Sequence, residues 1–302
     1  MNLPDDCAVT PSQLKQIRKH ALNALQDADA LGRFPTPISD VMAAAEVDVC
    51  EEHVFTETFL RRIRKRAGSA LKSALSKVIG LLDSKSRLIY LDRTLLAVKQ
   101  TFIKLHETAH AILPWQKNLY VIVEDCKLTL DPEISEEFDR EANIFASEVL
   151  FQLDSFTQMV ADDPFGIKVP IAASKKYGAS IYATIRRYVT TNHRACAVVV
   201  INPPEMRKGD GFVATRRRVV VSREFNLMFG NIAWPEYFTP DDEIGVMIPI
   251  LGRKMSKARS FGLCDCDGVM HECIGEAFTN THQVFILILV AKTLKNKIVC
   301  LS

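Results

Sequence analysis

Residues 104–113 read Lys-Leu-His-Glu-Thr-Ala-His-Ala-Ile-Leu, "KLHETAHAIL", and the fold turns on whether His106 and His110 work together. On an α-helix, positions i and i+4 share one face, so both imidazoles can aim a ring nitrogen at one point. Neutral imidazole suits Zn2+, and a catalytic zinc takes three protein ligands and one water. Glu107 follows the first histidine directly. From there its carboxylate can reach that water and act as general base, on a molecule whose pKa the metal has lowered. Phe102, Ile103 and Leu105 precede the pair and Ala109, Ala111 and Ile112 surround its end, so the stretch suits a helix packed in a core. The plainer alternative is a packed helix that happens to carry two histidines. A buried pair without partners is costly, however, and a metal ion satisfies both rings.

A third ligand has to come from another element. "EISEEFDREANIFASEVLF", residues 133–151, is amphipathic and acidic, with Phe138, Ala142, Phe145 and Val149 as its apolar stripe. Asp139 and Asn143 share the adjoining face. Asp139 is therefore the expected third ligand, and Asn143 an outer group hydrogen-bonded to one of the ligands. Glu136 lies within about 60° of Asp139 on the helical wheel and is the alternative ligand. Glu137, Glu141 and Glu148 fall nearly opposite, on a face expected to be solvated.

The rest of the chain bounds the class. A length of 302 residues, 48% hydrophobic, allows a large core, and a net charge of +2 offers no bulk attraction to nucleic acid or membrane. The beginning, "MNLPDDCAVTPSQLK", has no apolar signal core, and "VFILILV" at 284–290 is too short for a bilayer span. Eight cysteines at irregular spacing suit reduced thiols. A soluble, cytoplasmic protein is expected, with no membrane partner.

The expected fold class is α+β in three parts. Residues 1–162 form a helical core with a small sheet: a helix capped by Thr10-Pro11-Ser12, a basic helical stretch from Phe59 to Leu82, the strand "SRLIYLD", and the two site helices. A strand is possible at "LYVIVED". Residues 163–193 hold two short helices joined at Gly178, resembling a helix-turn-helix. Residues 194–302 read as a mostly antiparallel β domain with strands at "CAVVVINP", "RRRVVVSREF", "EIGVMIPIL" and "QVFILILVA".

"HETAHAIL" followed about thirty residues later by "DREANIFASEVL" resembles the ImmA/IrrE family of zinc-dependent metallopeptidases. Ala142, Asn143, Phe145 and Ala146 match that family's second helix, and its ligand glutamate falls on Asp139, one methylene shorter. The resemblance spans roughly residues 10–200, more loosely in "FPTPISDVMAAAEVDV" and "YGASIYATIRRY". It implies a minimal zincin core around one Zn2+, with "RLIYLD" as the strand that pairs with a substrate backbone. It further implies limited proteolysis of a helix-turn-helix repressor in transcription regulation or a stress response.

Other features carry rival readings. Residues 164–204 hold Lys168, Lys175, Lys176, Arg186, Arg187 and Arg194 and no acidic residue, which raises direct nucleic-acid binding through 165–191. Tyr177, Tyr182 and Tyr188 in the same stretch suit packing on the peptidase core instead. Cys264, Cys266, His271 and Cys273 suggest a second metal site, although their spacing is not a standard zinc pattern. His193 and Tyr120 are candidates to stabilise an oxyanion. The alternative to a peptidase is a metal-binding or DNA-binding transcriptional regulator without turnover.

Overall fold

Three helices end in the same way, and that shapes the first half of the molecule. In this computed structural model, which describes residues 9–50, 80–83, 86–91, 95–119, 132–207 and 211–293, helix α1 spans Pro11–Asp27 and α2 spans Ile38–Ala44. Thr10 opens α1 with a capping box: its side chain accepts from the Gln13 N–H while Gln13 accepts from the Thr10 N–H. α1 closes with Asp29 at φ 46° and the Ala30 N–H on the Leu25 carbonyl; α2 closes with Glu46 at φ 53° and the Val47 N–H on Met42. These are Schellman closures on non-glycine residues.

Strands β1 (Asp48–Val49), β2 (Gly80–Asp83) and β3 (Leu88–Leu91) form a sheet of order β1-β3-β2, with β1 parallel and β2 antiparallel to β3. The expected pairing strand "RLIYLD" thus lies in the middle, its hydrogen bonds already taken on both sides. β1 and β2 are the outer strands among the described residues. Gly80–Asp83 is itself extended, so the basic helical stretch does not run to Leu82; its earlier part and the possible strand at "LYVIVED" fall outside the described residues. Helix α3 (Ala97–Ile112) packs against this sheet, where Met42, Val47, Ile89 and Ala111 make a small core.

Helix α4 (Pro132–Leu150) is covered on more than one side. Ala142, Phe145, Ala146 and Val149 are fully buried, each large one contributing about 1.5–3 kcal/mol. Glu141 and Glu148 are buried as well, at 3% and 5% exposure, which corrects the expectation of a solvated acidic face. A single-helix wheel assumes one covered side, whereas α4 packs on both α3 and α1. After α4, Gln152 (φ 47°) closes the helix and clamps the 30–36 loop. Its side-chain carbonyl accepts from the Gly32 N–H at 2.7 Å, and its amide donates to the Ala30 and Arg33 carbonyls at 3.1 and 2.7 Å. Gln152→Ala strands the buried Ala30 carbonyl and removes a partner from the partly buried Gly32 and Arg33 groups, and is expected to cost about 2–4 kcal/mol, read as a lower urea midpoint. An unchanged midpoint would show that water satisfies the loop.

The chain packs into two units, Met1–Gln158 with Ser174–Ser180 and Met159–Ala173 with Ile181–Ser302. Helices α5 (Ser155–Val160) and α6 (Lys168–Tyr177) run from one unit into the other, and α7 (Ile181–Thr190) belongs to the second. Gly178 stands between α6 and α7 at φ 61°, where an added Cβ would press on Pro35 at 3.1 Å. Tyr177 packs among Phe34, Phe151 and Phe156 of the first unit, while Tyr188 stacks on Phe165 of the second.

The second unit is built on an antiparallel sheet. Its strands are β4 (Cys196–Ile201), β5 (Glu205–Arg207), β6 (Gly211–Val221), β7 (Tyr237–Phe238), β8 (Arg259–Cys264), β9 (Met270–Thr279) and β10 (Val284–Thr293), in the order β5-β6-β4-β10-β9-β8 with β7 paired to β6. Val198, Val200, Phe285 and Leu287 are buried on one face. Ala197, Val199, Ile286 and Ile288 fill the other, beneath Phe225 and Phe229 of α8 (Arg223–Phe229). Burial on both faces explains the unbroken apolar runs of β4 and β10. Ser222 caps α8, accepting from the Phe225 and Cys196 N–H groups and donating to the Arg194 carbonyl; "REF" is therefore helix, not strand. "EIGVMIPIL" is no strand either. It makes a 3-10 turn at Gly245–Met247 that plugs the core with Ile244, Met247 and Ile248. A Cβ on Gly245 would sit 1.8 Å from the Thr239 carbonyl oxygen. The architecture is α+β. Among the described residues, no helix is long and apolar enough to cross a membrane.

Candidate metal centre

α3 places His106 and His110 one turn apart, and their Nε2 atoms lie 3.2 Å from each other. Asp139, projecting from α4, brings Oδ1 to 3.7 Å from His106 Nε2 and 3.9 Å from His110 Nε2. The point equidistant from these three atoms lies about 2.1 Å from each, which is a zinc–nitrogen or zinc–oxygen bond length. Among the described residues, His106, His110 and Asp139 form the group of donors able to hold a metal ion; Glu136 is not part of it.

The hydrogen bonds behind the rings decide what those three atoms offer. His106 Nδ1 lies 3.0 Å from Asn143 Oδ1, and His110 Nδ1 lies 2.6 Å from Gln116 Oε1. An amide oxygen only accepts, so each Nδ1 carries the proton and each Nε2 presents a lone pair. With both rings neutral, two lone pairs and a carboxylate therefore converge on one point. Such a set repels itself until a cation joins it, and that is the physical test by which the donors fit a divalent metal.

Electrostatics separate the two rings. Burial, with the neighbouring His106, pushes the His110 imidazole down to about 4, so it is neutral at physiological pH. Burial also disfavours the His106 cation, but the Asp139 and Glu107 carboxylates and the Asn143 amide outweigh it and raise His106 above the usual histidine value. The site thus draws positive charge to the His106 side. Burial lifts Glu107 above the ordinary carboxylate range and Asp139 adds to that, against the smaller pull of His106 and of a backbone N–H. That N–H belongs to Leu82 of β2 and donates to Glu107 Oε2 at 3.1 Å.

Gln116 had no signal in helix periodicity. A proline at 114 predicts an end to the motif helix, yet residues 114–119 are helical again, and Leu113 at ψ 113° bends the chain between the two. The reversal carries Gln116 back to His110. A proline two residues beyond the helix end, followed within a turn by a long amide, was the available clue.

The remaining candidates lie elsewhere. Tyr120 is outside the described residues, and His193 is exposed in the second unit. His271 is bound to Asp265 at 2.7 Å, and Cys266 sits in the β8–β9 turn with its thiol toward the Met228 carbonyl at 3.4 Å. Cys273 is buried and free, whereas Cys264 is disulfide-bonded, which corrects the expectation of reduced thiols at that position. These four residues do not form a donor group among the described residues.

No family model matches the chain, and no curated protein matches it. Among solved structures, a Mycobacterium tuberculosis transcriptional regulator is similar over 91% of this chain and 76% of that one, at 10% identity and a TM-score of 0.49.

Proposed function

We propose that the protein is a zinc-dependent endopeptidase that cuts a regulatory protein, of the repressor class implied by the resemblance to the ImmA/IrrE family. One observation carries this reading: the lone pairs of His106 and His110 converge with Asp139 next to a carboxyl group, Glu107, that burial has made a stronger base. His106, His110 and Asp139 would hold one Zn2+, which when bound would supply Lewis acidity toward the scissile carbonyl and lower the pKa of water. Glu107 takes the proton from the attacking water and returns it to the leaving amine. Its bond to Leu82 fixes the carboxylate beside the outer strand β2, and a substrate segment laid along that strand meets the base in a set register. Asn143 and Gln116 keep both rings in the tautomer that leaves Nε2 open.

The test is incubation of the zinc-loaded full chain with purified helix-turn-helix repressors. A discrete fragment pair is expected, abolished by chelation and restored by added zinc. Intact repressor at every metal concentration, despite zinc bound at this site, would leave a metal-binding regulator without turnover as the better reading.

A further inference from the structure

We propose that Gln116 and Glu141 are positioning residues of the metal centre: a buried Glu141–Gln116–His110 relay sets how tightly the site holds its cation. This rests on the zinc reading above and assigns a task to two residues that the reading itself does not need.

Gln116 is fully buried, and its amide has one workable orientation. The nitrogen donates to Glu141 Oε2 at 2.7 Å and to the Phe138 carbonyl at 3.2 Å. Both partners are pure acceptors, so a flipped amide would set oxygen against oxygen twice. The Gln116 carbonyl is therefore held on His110 Nδ1, at 2.6 Å. Glu141 is anchored in turn: the Trp115 indole N–H donates to Oε2 at 2.7 Å, and the Gln13 amide approaches Oε1 at 3.5 Å. With 3% exposure, this carboxylate acts on its neighbours with little screening by water. Its charge polarises the Gln116 amide, the amide oxygen becomes a better acceptor, and His110 becomes a more basic ligand at Nε2. A histidine oriented through an amide by a buried carboxylate extends the usual carboxylate–histidine–metal arrangement by one link.

A merely structural network, tying α1, residues 114–119 and α4 together, would also lose stability when cut. The two roles separate when the groups are exchanged. Gln116→Glu with Glu141→Gln moves the charge one step closer to His110 and keeps a donor and acceptor for each contact between the two positions. The exchange sets the Trp115 indole and the Phe138 carbonyl against like groups, because Trp115 and Gln116 donate to the same Glu141 oxygen, so its zinc affinity is compared only where it melts with the parent.

Zinc affinity of the full chain, measured by competition with a chromophoric chelator, provides the readout. Gln116→Ala is expected to weaken zinc binding about 10–100-fold, as loss of an outer partner does. Gln116→Met, which fills similar space without accepting, is expected to match it and serves if the alanine variant unfolds. The exchanged double variant is expected to bind zinc at least as tightly as the parent. The relay is overturned if folded Gln116→Ala or Gln116→Met stays within about twofold of the parent, well short of the outer-group range. It is equally overturned if the double variant melts with the parent yet binds as weakly as Gln116→Ala. Failure of the zinc reading looks different: the parent chain would bind no zinc, or bind it undiminished after Asp139→Ala, and the relay would fall with it.

Discussion

Glu107→Gln lowers cleavage of a repressor substrate by about 10²–10⁴-fold, the usual contribution of a positioned general base, while bound zinc and thermal stability stay at the parent's level. The substitution is well matched to the site. A glutamine carbonyl still accepts from the Leu82 N–H, so β2 keeps its place beside α3. Volume and the ligand set are unchanged, and only the proton acceptor is gone. Single-turnover cleavage, zinc content and a melting curve on the same preparation check the three parts together. A variant that cuts as fast as the parent removes the assignment of Glu107 and, with it, the peptidase reading.

Asp139→Ala is expected to weaken zinc binding by more than about 100-fold, beyond the range for outer groups, because it removes one of three donors. Zinc at 100 times its dissociation constant stabilises the parent by about 2.7 kcal/mol, and that zinc-dependent rise in melting temperature disappears in the variant. Asp139→Glu, which has the side-chain length that the resemblance to the ImmA/IrrE family implies here, is expected not to tighten binding. The aspartate oxygen already stands 3.7 and 3.9 Å from the two Nε2 atoms, so an added methylene has to fold back to regain that point. Tighter zinc binding in Asp139→Glu would show that the aspartate site is strained open.

Much of the candidate site was legible because its parts repeat along single helices. The four-residue spacing of His106 and His110 puts both on one face of α3 in any fold, and the same spacing aligns Asp139 with Asn143 on α4. Gln116, Glu141 and Leu82 were not legible. Gln116 reaches His110 through a chain reversal at Pro114, Glu141 reaches Gln116 across two elements, and Leu82 meets Glu107 from a strand 25 residues away. The misreading of Glu141 shows the cause: periodicity tells which residues share a side, but not how many sides a helix will have covered.

The fold divides in the same way. Unbroken apolar runs at 196–201 and 284–290 marked strands buried on both faces, since no half-exposed strand tolerates such a run. "EIGVMIPIL" has a similar composition and became a turn that plugs the core, because Gly245 must pass against the Thr239 carbonyl. Strand order was also beyond local pattern. The resemblance implied 88–91 as the strand open to a partner, yet β1 and β2 pair with it on either side.

By itself, then, the sequence determined what short-range geometry can carry: the i and i+4 histidine pair, the neighbouring carboxyl group, the Thr10 cap and the apolar strands at 196–201 and 284–290. Tertiary structure alone decided that 88–91 is flanked by strands on both sides, that more than one side of α4 is covered, and that Gln116 stands behind His110. Those outcomes depend on contacts between segments distant in the chain, whose energies appear only once the segments have packed.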